Sequence, residues 1–213
     1  MWDQIVAYFT SNMGAYLAAL GAHIRISLLT LAAALLIGIP LGFFCAARKR
    51  AGTWVSGFFQ VLKIVPSLAV LILLIPIMGT GQIPAMTALI LLAVPPVLMN
   101  TAVGYEEVPD FMLETAKSLG MTRRQVFWKV RVPMSFPSIF TGAKSAFVEI
   151  IASATLAAYI GGGGLGTIIF TGLGLNRTDL LLIGGGSVAV LSILAGVMLG
   201  AVQKKIVRYR VQK

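Results

Sequence analysis

The sequence predicts an all-α, polytopic membrane protein. The expected plan is five transmembrane helices with the N-terminus outside and the C-terminus inside, plus an N-terminal interfacial helix and a cytoplasmic helical hairpin. Three observations carry this. Hydrophobic residues make up 58% of the 213 and charged residues only 11%, against about 25% charged in a soluble domain; mean hydropathy is +0.92. That excludes a water-soluble globular fold, and a disordered chain goes with low hydrophobicity instead. Apolar runs long enough for the roughly 20 residues that cross about 30 Å of hydrocarbon recur along the chain. The cations, which give a net charge of +10, cluster between those runs.

The elements follow in order. Residues 1–20 lack a basic leading region and a long apolar core, so they do not read as a secretory signal. Ile5, Phe9, Met13, Tyr16, Leu17 and Leu20 recur at helical spacing, with Asp3, Gln4, Thr10, Ser11 and Asn12 on the other side. This suggests a short helix in the membrane interface, or an ordinary packing helix. The first apolar run covers about 24–47 and meets Arg48-Lys49-Arg50, which marks that end as cytoplasmic. The second, about 54–78, contains Lys63 and a kink at Pro66; Gly79-Thr80-Gly81-Gln82 then turns the chain. The third, about 83–104, contains Pro95-Pro96, which should bend or break it. The fourth covers about 137–160, a glycine-rich connection 161–178, and the fifth span about 180–202.

With the N-terminus outside and five crossings, the cytoplasmic segments hold 13 of the 17 Lys and Arg, and the external connections only Arg177. The positive charge therefore reads as the bias of cytoplasmic loops and not as affinity for nucleic acid. Cys45 and His23 are the single cysteine and histidine. An internal disulfide is impossible, and a His/Cys-built catalytic zinc site, which takes three protein ligands, is not expected. No metal site and no catalytic residue is assigned.

Residues 105–135 differ from the rest. They hold four of the seven acidic residues and five cations. Pro109 suits the first turn of a helix, and Gly120 suits its end. Thr122-Arg123-Arg124-Gln125 fits a capping box that opens a second helix, expected to stop before Pro133. An organised hairpin between two spans points to docking of a cytoplasmic partner.

Here the residues resemble a family. Glu114-Thr115-Ala116, three residues, Gly120, nine residues and Val130-Arg131-Val132-Pro133 are similar to the EAA motif of permease subunits of ABC importers. The departures from that pattern are Thr115, Val130 and Val132. HIRISLLTLAAALLIGIPLG, IVPSLAVLILLIPIMGTGQIPA and ATLAAYIGGGGLGTIIFTGL resemble the osmoprotectant branch, for glycine betaine, carnitine and choline, over about residues 20–200. Lys63 departs from a branch that commonly carries an uncharged polar residue there. The resemblance implies a MetI-like permease domain over 21–203, after the helix at 1–20 and before a basic tail at 204–213. It implies a second permease subunit, ATPase subunits docked on the hairpin, an extracellular or periplasmic solute-binding protein, and a place in the bacterial cytoplasmic membrane. ATP and magnesium would belong to the ATPase, with no cofactor in this chain, which also lacks a GxxxxGK[ST] loop. ATPase coupling would fall to Glu114, Ala116, Gly120, Arg123, Val132 and Pro133.

Glu149 is a carboxylate inside span four, where charge is costly and marks function or a buried partner. Thr141, Ser145, Glu149 and Ser153 recur every four residues and should form one stripe. That stripe either lines the solute path, with Pro66 and Ser67, or makes structural bonds to another span. Lys63 either snorkels, pairs with Glu149 or faces a water-filled cavity; Lys144 is expected to snorkel. Gly161, Gly163 and Gly166 satisfy GxGxxG but lack its βαβ context; Gly163, Gly164 and Gly166 read instead as an external turn or gate. Asn176-Arg177-Thr178 is a sequon without meaning in a bacterial protein. His23 and Arg25 are expected at the interface, and Gly184-Gly185-Gly186 in close helix packing. The alternatives to an osmoprotectant permease are an ABC permease for another small solute, such as an amino acid, and an ATPase-independent carrier using Glu149. An intramembrane enzyme is disfavoured by the lone histidine and cysteine.

Overall fold

A computed structural model describes residues 2–211, and every regular element among them is helical. Four helices are long and apolar enough to cross a membrane, or five if one bent pair counts as a single span. The all-helical expectation therefore holds.

Helix α1 (Trp2–Ala47) is one element of 46 residues. At 1.5 Å per residue it reaches about 69 Å, over twice the hydrocarbon thickness. Its irregularity sits at Asn12 (φ −126°, ψ 20°), so the break expected near residue 20 falls eight residues earlier. The N-terminal part does not stand apart. Ile5, Tyr8, Phe9, Tyr16 and Leu20 pack against Leu165, Ile168, Leu180 and Ile183, and the Tyr16 hydroxyl lies 2.9 Å from Ser187 Oγ. These contacts favour the packing-helix alternative over a free interfacial helix.

The expected second span is two helices, α2 (Lys49–Ile64) and α3 (Ser67–Met78), bent by 102°. Proline disfavours helical backbone in the residue before it, and Val65 (ψ 126°) and Pro66 (ψ 136°) are extended. The kink expected at Pro66 is there, and it is large enough to make an elbow. Helix α4 (Gln82–Glu106) does the opposite and continues through Pro95 and Pro96, so the break that was one expected outcome does not occur. Both prolines are buried, and neighbouring helices hold such segments in place in membrane proteins. Small residues permit this. A Cβ on Gly42 of α1 would lie 2.5 Å from Thr101 Cβ and 2.6 Å from Leu98 O, and one on Gly142 would lie 2.8 Å from Pro96 O. Helix α4 is thus clamped between α1 and α7 (Val132–Ala157). Ala34, Val94, Val97, Leu98, Ala146 and Ile150 form one core there. Ile26, Leu71, Leu89 and Ala154 belong to a second.

After the hairpin helix α5 (Asp110–Ser118), the one-turn α6 (Arg123–Val126) passes through a π-turn, Phe127–Arg131, directly into α7. The expected stop before Pro133 does not occur. In the π-turn Val132 N–H donates five residues back to Phe127 O, and a prolyl nitrogen is tolerated in the first turn of the helix that follows. The second hairpin helix therefore runs on into the long apolar helix that follows it. The region expected as a glycine connection contains α8 (Gly166–Gly174), packed on α9 (Thr178–Val211).

Candidate coupling surface and charged face

Helix α5 is set by its ends. Asp110 in the first turn and Lys117 in the last suit the helix dipole. Gly120 has φ +75°, a backbone region open to glycine. Its N–H donates to Lys117 O (2.9 Å) and Met121 N–H donates to Ala116 O (3.1 Å), the paired bonds of a Schellman turn. The predicted capping box is present. Gln125 N–H donates to Thr122 Oγ1 (3.3 Å), and Thr122 N–H donates to Gln125 Oε1 (2.8 Å).

The hairpin has its own small core of Val108, Leu113, Ala116 and Val126, with Met121, Val130 and Met134 against it. Its base is fixed to α4. The Arg131 guanidinium lies 3.8 Å from the Tyr105 ring centre and donates to Tyr105 O (3.1 Å). Ser135 Oγ lies 2.8 Å from Gly104 O, and Ser138 Oγ donates to Glu107 Oε2 (3.1 Å). Sequence reading missed this clamp, because cation–π geometry leaves no spacing signal.

Large apolar side chains nevertheless face outward. Phe111 is 65% exposed, Leu119 76% and Trp128 60%. An apolar hollow of ≈ 440 Å³ lies among Phe111, Thr115, Leu119, Val130 and Pro133. Of the six residues assigned to coupling, Ala116 is buried, Val132 is half-buried, and Glu114, Gly120, Arg123 and Pro133 are exposed. All six lie on or beside this hairpin.

The polar stripe on α7 comes apart. Each step of four residues advances about 400° around a helix, so twelve residues turn the face by about 120°. Thr141 donates to Pro137 O and accepts from Gln203 Nε2 of α9 (2.7 Å). Ser145 is exposed, Glu149 half-buried, and Ser153 lies in the core. Lys144 runs along α9, its Nζ 3.3 Å from where a Cβ on Gly200 would sit. Among the described residues neither Glu149 nor Lys63 has a hydrogen bond, and no ion pair joins them within 4.0 Å. Pro66 is exposed at the α2–α3 elbow and Ser67 opens α3.

At the opposite end, Gly163 (φ +77°) and Gly164 (φ +80°) turn the chain into α8. Gly166 is pressed against Thr155 O of α7. His23, expected at the interface, is fully buried. Its Nε2 lies 3.1 Å from Ile151 O, and its Nδ1 is 2.9 Å from the position of a Cβ on Gly164. His23, Ser27 and Thr30 form a buried polar row on α1. Their i, i+4, i+7 spacing was the available signal. Gly184 packs on Ile169, whereas Gly185 and Gly186 meet open space.

A hairpin with an apolar outer surface, rooted in a multi-helix membrane bundle, matches one family over residues 38–208, the binding-protein-dependent transport system inner membrane components. The chain belongs to that family. It is 34% identical to the glycine betaine/carnitine/choline transport system permease protein OpuCB of Bacillus subtilis, over 96% of this chain and 94% of the relative. It is 37% identical to the carnitine transport permease protein OpuCB of Listeria monocytogenes, over the same shares. The fold is that of the MetNI methionine ABC transporter in an inward-facing form, with a TM-score of 0.78 over 92% of this chain and 96% of that one, at 21% identity. Membership makes this chain a membrane component of a binding-protein-dependent transport system.

Proposed function

We propose that this chain is the permease subunit of an ABC importer for osmoprotectants of the glycine betaine, carnitine and choline type, in the bacterial cytoplasmic membrane. It crosses five times, with α2–α3 as one broken span, the N-terminus outside and the C-terminus inside. The basic clusters at 48–50 and 204–213 and the cations of the hairpin then share the cytoplasmic side. A second permease subunit completes the path, and a solute-binding protein delivers solute from outside, next to Gly163, Gly164 and Gly166. The ATPase holds the ATP and magnesium and docks on the α5 hairpin.

The observation that carries this reading is the hairpin. Exposed Phe111, Leu119 and Trp128 surround an apolar hollow on an element clamped by Arg131 and Ser135. Exposed apolar patches of this kind mark partner sites. Ser145 and Glu149 of α7, with Pro66 and Ser67 at the elbow, face the solute path; Ser153 is too buried to do so in this conformation.

The test is uptake of labelled glycine betaine, carnitine and choline by cells stripped of their own importers, with and without the neighbouring ATPase. Uptake is expected only with the ATPase. Uptake by this chain alone would overturn the reading in favour of a carrier that uses Glu149.

A further inference from the structure

The buried row on α1 plays no part in docking or solute contact. His23, Ser27 and Thr30 are at most 1% exposed. Their Nδ1, Oγ and Oγ1 atoms find no hydrogen-bond partner among the described residues, and Thr155 Oγ1 of α7 is a fourth such atom. Buried polar atoms are paired as a rule. Inside a helix a hydroxyl can turn back to the carbonyl four residues before it, as Thr87, Thr101, Ser135, Thr141 and Ser187 do. Ser27 and Thr30 do not. For Thr155 that carbonyl is Ile151 O, which His23 Nε2 already meets at 3.1 Å. Residues four and seven apart return to one face of a helix, and side chains one turn apart have Cβ atoms about 5–6 Å from each other. That gap suits two hydrogen bonds of about 2.8 Å in series through one small molecule.

The chemistry of the row selects that molecule. Ile151 O only accepts, so His23 Nε2 donates to it and Nδ1 of the neutral ring is an acceptor. The two hydroxyls donate and accept. A neutral molecule that donates to Nδ1, does both at the hydroxyls and fits a packed interior is water. The outer end of the row is closed, because a Cβ on Gly164 would lie 2.9 Å from Nδ1 and the glycine turn rests on the ring. Further along the same face, Ala34 shares a core with Val97 of α4 and Ala146 of α7. We infer that His23, Ser27 and Thr30 form an internal water site, with bound water linking the three side chains in series inside the contact of α1 with α4 and α7. Buried waters of this kind make about three hydrogen bonds each and are costly to remove. The site is independent of which solute the protein carries.

The experiment is radiolytic hydroxyl labelling of the purified membrane assembly that contains the full chain. Water bound beside a buried side chain oxidises it, whereas bulk water reaches only exposed ones. His23 is expected to be oxidised in wild type despite its burial, with exposed Trp2 as the positive control. In Ser27→Ala combined with Thr30→Val, oxidation of His23 is expected to be lost and that of Trp2 kept. Each single change is also expected to lower Tm by about 2–4 °C, the shift of one net hydrogen bond in a chain of this length. An unlabelled His23 in wild type would overturn the inference, and a lowered Tm beside it would mean hydroxyls bonded to their own helix. Labelling of His23 that survives in the double variant marks bulk water entering by local opening and overturns it as well. So does a Tm left unchanged or raised by both single changes, the outcome for hydroxyls that are never paired. Where the double variant does not assemble, the single variants are labelled, and His23 oxidised as strongly as in wild type in both overturns it.

Discussion

Replacing Gly120 tests how the hairpin is built. A side chain at φ +75° costs about 1–2 kcal/mol in an L-residue. No atom lies within 4 Å of the new Cβ, so no clash adds to that. The two turn bonds, Gly120 N–H to Lys117 O and Met121 N–H to Ala116 O, survive only while the left-handed conformation is kept. The native turn should therefore lose about 5–30-fold in population against rearranged turns, and that factor bounds the loss of docking. Binding of the purified permease to its ATPase should weaken by up to that factor in Gly120→Val. It should weaken less in Gly120→Asn, because asparagine visits this region more readily. The circular dichroism of the bundle should not change. Val binding as tightly as glycine, or Asn as harmful as Val, would refute the idea that backbone conformation at 120 sets the docking shape.

Three further outcomes are expected. Gly42→Ala puts a methyl against Thr101 Cβ and Leu98 O; overpacking of this kind costs about 1–3 kcal/mol, visible as a lower Tm in detergent with hairpin docking unchanged. Arg131→Lys keeps the charge but loses the planar stack on Tyr105, so transport per docked ATPase should fall while docking affinity holds within about fivefold, given that a cation–π contact at such a site is worth about 0.5–1 kcal/mol. His23→Ala removes the bond to Ile151 O and opens a hole beneath Gly164; a loss of about 0.5–1.5 kcal/mol is expected for the bond, with the cavity adding to it, read as earlier thermal unfolding, with His23→Gln milder.

Much of this was legible in the sequence for a physical reason. Capping and turn chemistry are local, so Thr122, Gln125 and Gly120 announced the hairpin at the positions where the structure forms it. Apolar length is local too, and it found the long helices. What failed depended on neighbours. Pro95 and Pro96 read as a break but are held in a helix by α1 and α7 on either side. Pro66 has no such clamp, lies exposed, and turns the chain by 102°. The same residue type gives opposite outcomes, and packing, which no single window encodes, decides between them. His23 misled for the same reason, since a polar residue near a span end reads as interfacial until a glycine loop covers it.

The most consequential correction is at Pro133. A hairpin of two separate helices would be tied to the bundle by flexible joints, and motion at α5 could be absorbed before it reached the membrane. Instead α6, the π-turn and α7 are one continuous helical path from Arg123 to Ala157. The joint that could flex is stapled by Arg131 to Tyr105 and by Ser135 to Gly104. Glu149 lies on that same rigid element, sixteen residues beyond Pro133, or about 24 Å along the axis at 1.5 Å per residue. Under the proposed function, a displacement applied at the hairpin is carried along this continuous helical path toward Glu149. Docking and solute contact are then opposite ends of one lever.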